Sequence, residues 1–145
     1  MSLDGDYDED NIFAKIIRGE IPAAKIFEDA HVLAFLDVFP QSRGHTLVIS
    51  KRSKARNLLD VTPDILSHVI LDVQRVAKAL RAALKPDGIV LTQFNGAPAG
   101  QTVFHLHFHL IPRYADTPSR PHGEGGMADP AELAKLAKQI AAEIA

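Results

Sequence analysis

Three histidines alternate with apolar residues in the stretch QTVFHLHFHLIPRY, residues 101–114. They are His105, His107 and His109, with Leu106, Phe108 and Leu110 between and after them. Near neutral pH an imidazole can attack, exchange a proton or ligate a metal. Side chains in a strand point to opposite faces in turn. Val103, His105, His107, His109 and Ile111 therefore share one face, while Phe104, Leu106, Phe108 and Leu110 share the other, which is assigned to the core. Neighbouring histidines lie roughly 7 Å apart along such a chain. That spacing is too wide for ring-to-ring packing, yet narrow enough to surround one small ligand.

Three chemistries compete for this pattern. The plainest is a half-exposed strand that happens to be rich in His; strict alternation beside a Gly-rich turn counts against it. A His-x-His pair on a strand can hold zinc with a third ligand, but no spacing in the chain fixes that ligand. The third is nucleophilic attack on phosphorus. An unperturbed imidazole pKa of about 6.5 leaves the ring mostly neutral and nucleophilic at pH 7, and neighbouring donors could hold the phosphate oxygens. The residues alone leave the metal and phosphorus readings open.

Several elements must position these rings. Asn11 can cap a short helix with Ile12, Phe13, Ile16 and Ile17 as its apolar face, ended by Gly19. AKIFED and HVLAFLD read as two strands joined by a turn at Asp29 and Ala30, and HTLVIS as a third. Thr62 and Pro63 open a long helix whose stripe is Ile65, Val69, Val73, Val76, Leu80 and Leu84. Pro86 and Gly88 stop it. GIVLTQF is a further strand, and NGAPAGQ a tight loop into the histidine strand. Residues 115–128 carry turn formers without periodicity and are expected to be mobile. Asp129, Pro130 and Glu132 start a last helix with the stripe Leu133, Leu136, Ile140 and Ile144. Strands in antiparallel order with inserted helices predict an α+β domain.

The 145 residues suit one domain, and a net charge of −2 does not suggest nucleic-acid binding. No apolar run reaches the roughly 20 residues needed to cross a membrane. Residues 1–10 are acidic where a signal peptide would be basic and then apolar, and are expected to be a disordered tail. A cytoplasmic location is expected. Having no cysteine, the chain has no disulfide and no thiolate ligand. The basic run KRSKAR, residues 51–56, reads as a solvated loop, and GEGG lacks the ending of a P-loop. His31, His68 and His122 lie outside any motif, with His68 expected at the surface or a dimer contact.

HLHFHLI fits the pattern His-φ-His-φ-His-φ-φ, where φ is hydrophobic, and strongly resembles the signature of the HIT (histidine triad) family of nucleotide hydrolases and transferases. NIFAKIIRGEIPAAKIFEDAHVLAFLDVFPQSRGHTLVISK is similar to the N-terminal half of the Hint-like branch, and FNGAPAGQTVFHLHFHLIPR to its C-terminal half. The resemblance implies a HIT-like fold, a five-stranded, mainly antiparallel sheet with two main helices. Residues 11–114 would form the HIT domain, with 115–145 a mobile loop and a helix packed on it. It also implies a purine nucleotide conjugate such as a nucleoside 5′-phosphoramidate as substrate, a homodimer, and no metal or other cofactor.

Residue by residue, the resemblance makes His107 the nucleophile toward the α-phosphorus and His109 a donor to the phosphate. His105 would hold the middle ring through its main-chain carbonyl, and His45 would buttress the site. Asn95, Gly100, Gln101 and Thr102 would meet the phosphate and leaving group, and Asp37 the ribose. Phe13, Ile16, Phe35 and Val38 would line the base pocket. A Cys-x-x-Cys that serves a structural zinc in many bacterial relatives falls on Asn11 and Ala14, so that zinc is not expected. The LIPR after the histidines is also similar to the dinucleoside-polyphosphate-cleaving branch. That activity, and a nucleotide-binding regulatory role, are the alternatives.

Overall fold

The computed structural model describes residues 3–118 and 125–145. His122 and the middle of the expected mobile loop lie outside them. Helix α1, Ile12–Ile17, is capped by the Asn11 side chain, which accepts from the Ala14 amide at 2.9 Å. Strands β1 (Lys25–Glu28), β2 (Val32–Leu36) and β3 (Thr46–Ser50) follow, then helix α2 (Pro63–Leu84). Thr62 caps α2, with Pro63 in its first turn, where a missing N–H costs nothing. Strand β4 (Gly88–Thr92), a single 3₁₀ turn at Ala97–Ala99, strand β5 (His107–Arg113) and helix α3 (Pro130–Ala141) complete the chain. The five strands form one antiparallel sheet in the order β1-β2-β3-β5-β4. The expected α+β HIT-like architecture is therefore the observed one.

The sheet is covered on both sides, which explains why β2 and β3 read as unbroken apolar runs rather than alternating ones. One face carries Val32, Ala34, Leu36, Val48, Phe108 and Leu110 into the main core under α2 and α3. The stripes of those helices, Val69, Val73, Val76 and Leu80 from α2 and Leu133, Leu136 and Ile140 from α3, fill the same core. The other face sends Leu33, Phe35, Leu47 and Ile49 against Phe13 and Ile16 of α1. Register then fixes where the chemistry lies. His107 pairs with Ile49 and His109 with Leu47, so both histidines emerge on the α1 side.

Three expectations need correction. The histidine strand was expected from Val103 through Ile111, but β5 begins at His107. The backbone ahead of it is held differently: Leu106 donates to the Ala55 carbonyl at 3.0 Å, and its carbonyl accepts from Ser50 at 3.2 Å. The basic run is not uniformly solvated. Arg56 is buried with its guanidinium 4.7 Å from the centre of the Phe104 ring, while Lys51 pairs with Glu28 and Lys54 with Glu9. Residues 3–10 also make specific contacts, among them Asn57 Nδ2 to the Leu3 carbonyl at 3.1 Å. Short polar staples, rather than apolar periodicity, hold that segment. His31 and His68 stack at 4.0 Å. No helix among the described residues is long and apolar enough to cross a membrane.

Gly44 sits at the entry to β3 with φ at +91°, and a Cβ there would run into Leu84 and Pro112. Both the conformation and the space call for glycine. Gly44→Ala is expected to destabilise the fold by about 2–3 kcal/mol, measured as a lower urea midpoint with an unchanged slope.

Candidate active site

The histidines are locked by partners that leave little choice of tautomer. His107 Nδ1 lies 2.6 Å from the His105 carbonyl. A carbonyl only accepts, so His107 carries its proton on Nδ1 and keeps a lone pair on Nε2. His105 is fixed in the same way: Nε2 lies 2.6 Å from the Ser50 carbonyl, so it donates there and leaves Nδ1 as an acceptor. Behind His109 stands His45, wholly buried, whose Nδ1 accepts the Gln41 amide at 3.0 Å. The His45 proton is thereby placed on Nε2, which lies 3.0 Å from His109 Nδ1. His109 accepts at Nδ1 and carries its own proton on Nε2. One ring thus offers a lone pair and its neighbour an N–H.

Rings that sequence spacing kept apart do pack. His107 and His109 meet edge-on with centroids 5.1 Å apart, because the side chains lean together from Cα positions set by the strand. Phe13 of α1 meets His107 edge-on at 4.8 Å and His105 at 6.0 Å. This packing dries the site. Burial pulls the His105 pKa down to about 4, with the Ser50 hydrogen bond working against it and His107 adding to it. Burial also lowers the His107 pKa, opposed by the His105 carbonyl and by the charge of Asp37. Both rings therefore favour the neutral form at pH 7.

A cavity of about 280 Å³ opens beside these rings. Of the candidates read from the sequence, His107, His109, Asp37, Thr102, Phe13, Ile16, Phe35 and Val38 line it. His45 and His105 stand behind that lining, His45 hydrogen-bonded to His109 and the His105 carbonyl to His107. Asp37 is buried, with Oδ1 accepting the Phe39 amide at 2.8 Å and Oδ2 3.5 Å from His45 Nε2. Val103, Leu47 and Phe39 also line the cavity and were missed. The alternation of β3 could have pointed to Leu47, since it faces the histidine side, and the shared face of Val103 and the histidines to Val103; nothing in the pattern marked Phe39.

Three candidates do something other than line this cavity. Gln101 is buried, with Oε1 accepting the Gly96 amide at 2.8 Å and Nε2 donating to the Arg56 and Val103 carbonyls at 2.7 and 3.1 Å. Its amide staples the loop shut. The Gly100 amide donates to the Ala97 carbonyl at 3.0 Å, so Gly100 serves the turn, at φ +113°. Asn95 Oδ1 accepts from Leu58 and Gln93, at 2.9 and 3.0 Å. Together they set the shape of the loop that delivers Thr102 and Val103.

The sequence matches the HIT domain over residues 18–116. The chain belongs to the HIT family. It is 46% identical over 106 residues to protein hit of Bacillus subtilis, covering 73% of this chain and 72% of that protein. The crystal structure of a Hit-like protein involved in cell-cycle regulation from Bartonella henselae superposes with a TM-score of 0.89 at 47% identity, covering 96% of this chain and 99% of that one. A HIT family hydrolase from Clostridium thermocellum is similar at 32% identity and a TM-score of 0.66, covering 77% of this chain and 96% of that one.

Within this HIT site, Asp37, His45 and His109 bring one ligand atom each within 4.8 Å of one another, a spacing a metal ion could bridge. The proton placement does not suit a metal. A ligating histidine normally donates its other ring N–H to an acceptor. His45 instead accepts at Nδ1, so ligation through Nε2 would strip its last ring proton.

These assignments are checked by ¹⁵N-detected NMR of the imidazoles. His105 is expected as the Nε2–H tautomer and His107 as the Nδ1–H tautomer at pH 7. His105 should stay neutral until about pH 4, and His107 should protonate only below the ordinary value of 6.5.

Proposed function

We propose that the protein hydrolyses purine nucleotide conjugates, nucleoside 5′-phosphoramidates foremost, through a nucleotidyl intermediate on His107 Nε2. The observation that carries this reading is the 2.6 Å hydrogen bond from His107 Nδ1 to the His105 carbonyl, which leaves the Nε2 lone pair on a ring that lines the cavity. The base would occupy the apolar end formed by Phe13, Ile16, Phe35 and Val38, and the ribose would lie near Asp37. In the first step Nε2 attacks the α-phosphorus, the P–Nε2 bond forms, the P–N bond to the leaving amine breaks, and the amine takes up a proton from solvent. The His107 ring becomes cationic, and its Nδ1–H into the His105 carbonyl stabilises that charge. His109 Nε2–H donates to a phosphate oxygen as charge builds there. Water then attacks the same phosphorus and gives up a proton to solvent, the P–Nε2 bond breaks, His107 returns to its neutral Nδ1–H form, and the nucleoside monophosphate leaves.

The experiment is hydrolysis of adenosine 5′-phosphoramidate by wild type and His107→Ala, each with and without a chelator. Chelator-resistant turnover that falls by at least about 10³-fold in the variant is expected, the scale seen when a catalytic residue is removed. Turnover that survives the substitution, or that stops with the chelator, contradicts the reading. A dinucleoside polyphosphate turned over faster than the phosphoramidate would move the assignment to the alternative leaving group. Tight nucleotide binding without turnover of either would favour a regulatory binding protein. Protonating Nε2 removes the lone pair, and burial lowers the His107 pKa. The acid limb of kcat/KM for the phosphoramidate is therefore expected below pH 6.5, with activity flat from there to neutrality.

We also infer a homodimer through β4 and α2. β4 is an edge strand with Leu91 49% exposed, and Leu71 on α2 is 63% exposed. An unpaired edge beside exposed apolar side chains favours association. Sedimentation should give a dimer that Leu91→Lys converts to monomer; a monomeric wild type would contradict it.

A further inference from the structure

We propose that Tyr7 is a positioning residue for the nucleophile and acts through His105, an inference that rests on the reading of His107 given above. The Tyr7 hydroxyl lies 2.7 Å from His105 Nδ1. His105 Nε2 is committed to the Ser50 carbonyl at 2.6 Å, so Nδ1 has only a lone pair and the Tyr7 O–H donates to it. The rings are tilted at 54° with centroids 5.7 Å apart, so the hydroxyl, not face-to-face stacking, makes the contact. An acceptor at one end of the imidazole and a donor at the other permit one ring orientation and one tautomer. The same residue's carbonyl takes the His107 Nδ1 proton at 2.6 Å. Two hydrogen bonds thus link the phenol, through His105, to the attacking ring, and a third anchors the far side of His105 on Ser50.

The segment that brings Tyr7 here is itself fastened. Asn57 Nδ2 holds the Leu3 carbonyl at 3.1 Å, Arg18 Nη1 holds the Glu9 carbonyl at 2.7 Å, and Glu9 pairs with Lys54. Asn11 donates its amide to the Asp8 carbonyl at 3.2 Å and caps α1, which carries Phe13 against His105 and His107. Burial raises the Tyr7 pKa further, against an opposing hydrogen bond from Asn11, so the phenol is protonated at every working pH. Loss of the hydroxyl would leave a buried imidazole nitrogen without a donor, which a buried polar atom tolerates poorly.

The test is Tyr7→Phe, which keeps the ring and removes one hydroxyl from a half-buried position. Three readouts are taken: ¹⁵N resonances of the imidazoles in the free protein, the pH of His105 protonation, and kcat and KM for the phosphoramidate. The His105 Nδ1 resonance is expected to move downfield, and its protonation to rise above about 4, because the neutral ring loses a donor, while burial still holds it well below 6.5. A fall in kcat of about threefold to tenfold is expected, the scale of one hydrogen bond, with KM held within about twofold. Introducing 3-fluorotyrosine at Tyr7, which keeps the O–H, should restore kcat. Unchanged His105 resonances would overturn the contact, and shifted resonances with wild-type kcat would overturn the positioning role. The resonances need no substrate, so a wild type that fails to turn over the phosphoramidate would sink the functional reading and leave the contact still decided.

Discussion

The site turns on one hydrogen bond, from His107 Nδ1 to the carbonyl of His105 two residues before it. Imidazole has two nitrogens and, when neutral, one proton; which nitrogen holds it decides whether the other can attack. A main-chain carbonyl settles that question permanently, because it cannot donate and cannot be titrated. Everything around the pair can be read as protecting that arrangement. The bend before β5 aims the His105 carbonyl at the next ring. Phe13 presses on both rings, and burial keeps both neutral.

A second constraint is the two-sided sheet. Because α2 and α3 cover one face, the other is free to hold chemistry, and α1 covers only part of it. The pairing of β5 with β3 sets His107 and His109 opposite Ile49 and Leu47, so apolar residues surround the polar rings. In that setting each hydrogen bond is stronger, and an unpaired polar atom costs more, than at the surface. His45 shows the consequence. Wholly buried, it is satisfied at both nitrogens, by the Gln41 amide and by His109. The same satisfaction makes it a poor metal ligand, although its distances to Asp37 and His109 would fit one.

Elements with a strong period or a cap were legible from the sequence. Asn11, Thr62 and Asp129 cap the helices they were expected to start. The alternation of Leu106, Phe108 and Leu110 gave the core face correctly. Patterns failed where side-chain reach, rather than backbone period, decides. Cα spacing along a strand said that His107 and His109 rings could not pack, yet they do. Gln101 looked like a substrate contact and is spent on its own loop, because what an amide bonds depends on a loop path that no periodicity encodes. Tyr7 was invisible for the same reason. It sits in an acidic stretch with no apolar repeat, and its partner is 98 residues away.

The account stands or falls on whether phosphorus becomes bonded to His107. Wild-type protein mixed with adenosine 5′-phosphoramidate, quenched in milliseconds under conditions that preserve P–N bonds, and read by intact-protein and peptide mass spectrometry, answers this directly. An adenylyl adduct confined to His107, appearing and decaying at rates that match turnover, is the predicted result. Turnover with no adduct, or with the adduct on His105, His109 or any other residue, would contradict it.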